Sequence, residues 1–169
     1  MTEKRKNDPK MKRIKNSLFA ALLLCTMLVA FSSCKSDIVY SEFIAIPSGE
    51  WEENQLPEFA FNIADKESAY DILLYVRHTE RYPYQNMWLF VRGNPQQYSD
   101  TIEFYLADDR GRWLGDKHHG FIEMPVLLEE NYHFPDTGRF YFDVQHGMRD
   151  SLLRGVTDVG IEIRKCENE

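Results

Sequence analysis

The residues of this sequence best placed for covalent chemistry are Ser32-Ser33-Cys34. A thiol is what the attachment of diacylglycerol through a thioether requires. Two small residues before it let a lipoprotein signal peptidase close on the backbone and cut between Ser33 and Cys34. The segment therefore resembles a lipobox, with Phe31 at the position where Leu is usual. Residues 18–31 form a fourteen-residue apolar run broken only by Thr26. A bilayer span needs about 20 residues, so this run has the length of a signal-peptide core instead. Lys10, Lys12, Arg13 and Lys15 supply the basic flank. Met11 opens a more typical signal than Met1 does, which makes Met11 the expected start. The expected mature chain begins at Cys34, with a diacylglycerol group and an N-acyl chain as its lipid. Summed methylene burial makes such an anchor lasting. Position +2 is not Asp and no acidic run follows Cys34, so the expected location is the outer membrane, facing the periplasm.

Other chemistry is poorly supported. Gly-rich phosphate loops, G-x-S-x-G, H-E-x-x-H and C-x-x-C are all missing. Of the five histidines, none forms the i, i+4 pair that builds a metal face, and His78, His118, His119, His133 and His146 are expected in solvated loops. Asp108-Asp109-Arg110-Gly111 reads as a hairpin turn, since it lacks the alternating oxygens of a calcium loop. Glu52-Glu53 and Glu129-Glu130 read as solvated faces. No catalytic residue, metal or cofactor is assigned.

Aromatic residues carry the remaining possibility. Tyr82, Tyr84, Asn86, Trp88 and Trp113 are the candidate interaction surface, and Trp51 would extend it. Exposed rings on a β-sheet would stack on sugars, making a glycan-binding module the alternative function. The competing expectation is a packed corner set by Pro83, with Trp88 buried, because Met87 to Val91 continues directly as a strand.

Charge divides the chain. Residues 1–33 hold seven basic and two acidic residues, net +5; residues 34–169 hold thirteen basic and twenty-five acidic, net −12. The acidic part repels nucleic acid and anionic lipid headgroups. Cys25 leaves with the signal and Cys34 is lipidated, so Cys166 has no disulfide partner and is expected in a tail.

The elements that must position these residues are strands. Short apolar alternations recur between turn signals, the pattern of a sandwich or barrel. Strands are expected over residues 39–46, 59–63, 70–78, 87–92, 101–107, 121–128, 140–145 and 159–164. The 70–78 strand is apolar on both faces and should be central. Pro125 marks an edge or a bulge. One helical turn is expected over residues 148–153. The fold class is all-β: a single antiparallel β-sandwich of about eight strands, Ig-like or jelly-roll-like, following an N-terminal lipoprotein signal peptide. Residues 1–33 are signal, 34–38 tether, 39–165 sandwich and 166–169 tail.

Several blocks occur in order. They are Tyr82-Pro83-Tyr84-Gln85-Asn86-Met87-Trp88 after a strand ending in Arg77, Thr101 with Leu106-Ala107-Asp108, and Gly111-Arg112-Trp113-Leu114-Gly115. Phe134-Pro135 with Gly138, Tyr141 and Phe142 follows. Gln145-His146-Gly147-Met148-Arg149 precedes Leu152-Leu153 and Gly155-Val156-Thr157-Asp158-Val159-Gly160. Together the blocks resemble one family, the gliding-motility lipoproteins GldH. The flexible pair His146-Gly147 departs from the pattern. The resemblance implies a non-enzymatic envelope lipoprotein serving gliding and type IX secretion, with envelope proteins of that apparatus as partners. Gly111, Gly115, Gly138, Gly155 and Gly160 should hold turns or close approaches. Arg77, Arg149 and Asp158 are candidates for half-buried pairing.

Overall fold

The computed structural model describes residues 38–94 and 98–166. The expectations for the signal, Met11, Cys25, Ser33, Cys34 and most of the tether lie outside the described residues. The described residues form eleven strands: β1 (Ile38–Ala45), β2 (Glu50–Glu52), β3 (Glu58–Ile63), β4 (Tyr70–His78), β5 (Asn86–Gly93), β6 (Ser99–Tyr105), β7 (Asp116–Lys117), β8 (Ile122–Tyr132), β9 (Gly138–His146), β10 (Leu152–Arg154) and β11 (Val156–Lys165). All eight expected strands form.

One sheet has the order β1-β11-β4-β8-β7 and the other β3-β9-β5-β6, all pairs antiparallel. Setting aside the short β2, β7 and β10, the long strands numbered one to eight pair as 1-8-3-6 and 2-7-4-5. First meets last, second meets seventh, third meets sixth, and fourth meets fifth. That nesting is the jelly roll, not the Ig arrangement.

Alternation explains the core. Phe59, Phe61 and Ile63 of β3, Met87, Leu89 and Val91 of β5, and Phe140, Phe142 and Val144 of β9 turn inward and are buried. They face Ile72, Leu74 and Val76 of β4 and Val159, Ile161 and Ile163 of β11. Each such side chain contributes roughly 1.5–3 kcal/mol of transfer free energy. Phe61 joins Phe134, Phe140 and Phe142 in one ring cluster, with centroids 5.4–6.2 Å away. β8 has a neighbour beyond β4 only at Ile122 and Glu123, where β7 pairs. Pro125 therefore lies on an open edge, where its missing N–H costs no ladder bond.

Residues 148–153 form no helical turn. Leu152–Arg154 is instead a strand, β10, paired with β2 so that Leu153 opposes Trp51. Both are fully buried. The ribbon closes one end of the sandwich, and its pairing crosses about a hundred residues of chain, so no local signal marks it. Cys166 does not sit in a loose tail: its N–H donates to the Ala69 carbonyl at 2.9 Å, and its thiol to Asp71 Oδ1 at 3.4 Å.

The two sheets cover their outer faces differently. On the first, the Arg77 guanidinium lies 3.7 Å from the Phe43 ring centroid and its Nε donates to Glu123 at 2.7 Å. Nearby, Glu162 is buried and receives Arg164, Ser41 and the Tyr75 hydroxyl. Long polar side chains thus blanket Phe43 and Tyr75. Arg77 is half-buried and paired as expected. Arg149 is exposed, and Asp158 is half-buried opposite Arg77 in register. The second sheet lacks such a blanket over its central strand β5.

Candidate interaction surface

Four of the five candidate residues lie on one stretch of chain, from the β4–β5 connection into β5, and the structure separates them by burial. Tyr82 is 3% exposed. Its hydroxyl donates to the Asn86 carbonyl at 2.8 Å, and burial pushes its phenol well above the usual range. Trp113, half-buried, packs edge-on against His78 at 4.7 Å and near Tyr82 at 6.5 Å. Trp51 is fully buried, with Nε1 donating to the Gln55 carbonyl at 2.8 Å. These three hold the fold and offer no stacking platform. The turn that carries Trp113 is closed by the Asp108 carboxylate. It accepts the Arg110 and Arg112 N–H groups at 3.0 and 2.9 Å and the Arg112 side chain at 2.8 Å. Those bonds, the Arg112 N–H first, hold the carboxyl below its ordinary range. The turn is therefore a hairpin, as its sequence suggests.

Trp88 reverses the packed-corner expectation. It is 38% exposed, as is Phe90. Met87, Leu89 and Val91 point inward, so Trp88 and Phe90 share the outer face by the period of two. Tyr105, 60% exposed, shares that face on the neighbouring β6. Tyr84 and Asn86 are half-buried beside them. The Tyr84 hydroxyl donates to Asp150 at 2.6 Å; that bond, then burial, raises its phenol. Asn86 Nδ2 donates to Glu103 at 2.7 Å.

Sequence reasoning omits Phe90, Gly147, Met148 and Arg149 from this surface. The loop after β9 runs beside β5: the Gly147 N–H donates to the Trp88 carbonyl at 2.7 Å, and the Trp88 N–H to Met148 Sδ at 3.3 Å. Tyr84, Asn86, Trp88, Gly147, Met148 and Arg149 line a concavity of ≈ 430 Å³. The alternation of Trp88 and Phe90 against Met87, Leu89 and Val91 is the signal that marks Phe90. Nothing local marks the loop.

The histidines also depart from expectation. His118, His119 and His133 are exposed, but His78 and His146 are buried on strand ends. His78 Nδ1 lies 3.0 Å from the Thr79 carbonyl. His146 is buried and packs against the Trp51 ring at 5.3 Å. Burial lowers both pKa values. Among the described residues, no three His, Cys, Asp or Glu side chains converge as a metal site would need. Glu52 and Glu53 are both exposed; they line a separate concavity of ≈ 470 Å³ with Gln145 and Ser151.

A family model described as GldH lipoprotein matches residues 38–163, the whole of the sandwich from the start of β1 to within two residues of the end of β11. The chain belongs to the GldH lipoprotein family. A relative from Christiangramia forsetii, named gliding motility lipoprotein GldH homolog, is 30% identical over 162 residues, covering 90% of this chain and 99% of the relative. Gliding motility lipoprotein GldH of Flavobacterium johnsoniae is 26% identical over 163 residues, covering 90% and 98%. GldH proteins are lipoproteins by name, which implies membrane anchoring. Among solved structures, a carbohydrate-binding module specific for non-crystalline cellulose overlays at a TM-score of 0.41 and 10% identity, covering 75% of this chain and 73% of that one. At that level the overlap says nothing about what a GldH chain binds.

Proposed function

We propose that this GldH chain is a non-enzymatic adaptor of the gliding and type IX secretion machinery. Cys34 holds it to the outer membrane, facing the periplasm, through diacylglycerol and an N-acyl chain. The observation that carries this is the family match across the sandwich, placed directly after a lipobox.

The test is a clean deletion complemented with wild type or with Cys34→Ala. Spreading on a surface, secretion of exported cargo and incorporation of labelled palmitate are measured. Deletion should impair secretion or spreading, and Cys34→Ala should lose both the lipid and the rescue. Normal secretion and spreading in the deletion would sink the adaptor role. In-cell cross-linking of the lipidated protein should recover envelope proteins of the same apparatus.

A further inference from the structure

Trp88 and Phe90 stand two residues apart on β5, a strand enclosed by β9 and β6, and each is 38% exposed. Large rings at the centre of a sheet are ordinarily covered. The core aromatics pair with one another, yet among the described residues neither of these two meets another aromatic ring. The other sheet covers its rings with Arg77 and Arg164; here the Gly147 loop covers Trp88 and Phe90 only in part.

What surrounds the pair is polar on both flanks. Glu103 opposes Trp88, and Thr101 and Gln145 oppose Phe90. Arg92, the next outward residue, donates to Asp143 at 2.9 Å and to Gln145 at 3.1 Å. Rings about 7 Å apart along a rigid strand, fringed with donors and acceptors, match a sugar chain. A sugar ring offers an apolar C–H face for stacking and a rim of hydroxyls for hydrogen bonds.

We propose that the outer face of β5 is a saccharide-binding site for an uncharged glycan chain, with successive rings stacked on Trp88 and Phe90. The ≈ 430 Å³ concavity at the start of β5 continues the platform, and exposed Arg149 supplies donors to hydroxyls there. Other occupants fit less well. Charged residues so close to the centre run against protein interface cores, where charge is depleted. The net charge of −12 over residues 34–169 repels polyanionic glycans. This inference does not rest on the adaptor role, and a secretion phenotype neither supports nor damages it.

The test uses the full lipidated chain in a detergent without a sugar headgroup. Trp51 is buried and Trp113 half-buried, so acrylamide quenching of the accessible tryptophan reports on Trp88. Hydroxyethylcellulose, laminarin, dextran and chitohexaose are titrated, with polygalacturonate as the charged probe. At least one uncharged probe should protect Trp88 saturably. Phe90→Ala should weaken that binding about tenfold, a loss within reach of one stacking ring. Leu127→Ala, exposed on the other sheet, should leave binding unchanged. Protection by none of the uncharged probes, protection by polygalacturonate alone, or unweakened binding in a folded Phe90→Ala chain each overturns the proposal. A photocross-linking residue at position 90 adds a cellular arm. A discrete protein adduct with no glycan attached would give the surface to a protein instead.

Discussion

Gly147 stands so close to Phe90 that a side chain at position 147 would press on the ring. A Cβ there would lie 2.9 Å from the Phe90 ring and 3.3 Å from Trp88 Cβ. The loop after β9 lies against β5 because it lacks a side chain at that point. Phe90 is partly exposed and its ring tip can yield outward. Gly147→Ala should therefore cost less than about 1 kcal/mol while changing Trp88 emission. Gly155 is the contrast. Its φ is +89°, and a Cβ would meet the Tyr82 backbone nitrogen at 2.5 Å. Backbone cannot swing aside, so Gly155→Ala should cost roughly 3 kcal/mol. Urea unfolding of the two variants checks the difference.

The three tryptophans should separate in the same assay. Trp51 is fully buried between β10 and His146, so Trp51→Ala should lose about 3–5 kcal/mol. Trp88→Ala removes an exposed ring and should stay within about 1 kcal/mol of wild type. A large loss at Trp88 would mean that its ring supports the fold instead of waiting for a ligand.

Arg77 combines an ion pair with Glu123 at 2.7 Å and a stacking contact on Phe43 at 3.7 Å. The paired side chains are 25% and 20% exposed, so solvent screens them only in part. Arg77→Ala should cost about 2 kcal/mol. Arg77→Lys should recover less than half of that, since an ammonium cannot both lie flat on a ring and present a planar fork. Denaturation at low and high salt should show only a minor change in the loss.

Acid should weaken the fold through its two buried histidines. Burial holds the pKa values of His78 and His146 below the ordinary imidazole value of about 6.5. In the window below that value the unfolded chain binds protons that the folded chain refuses. Stability is thus complete above about pH 6.5 and falls as the pH drops toward the folded pKa values. Thermal midpoints at pH 7.5 and 5.0 should differ, and His146→Phe should narrow the gap. Phe keeps a ring against Trp51 and has no proton to gain.

Periodicity was enough for the eight long strands and for the Asp108 turn, because a period of two and turn chemistry are local. Pro125 marked its open edge by the same logic, through a missing donor. The ribbon of β2 and β10 was not legible. Three residues on each side gain stability only from each other and from burying Trp51 and Leu153, far apart in the chain. The buried His146 escaped notice for a related cause: its partner in packing is Trp51, nearly a hundred residues away.

By itself, the sequence determined the strands, which residues alternate along them, and a lipid-acceptor pattern at Cys34. The tertiary structure decided which side of each strand is covered. In Met87-Trp88-Leu89-Phe90-Val91 both sides are apolar, so alternation can sort the residues but cannot say which set is inside. A two-layer sandwich buries one face of each sheet, and the nesting of first strand with last placed Met87, Leu89 and Val91 there. Trp88 and Phe90 were left facing water. Tyr82 and Trp113, equally aromatic in sequence, went inward because the turns that carry them fold over His78.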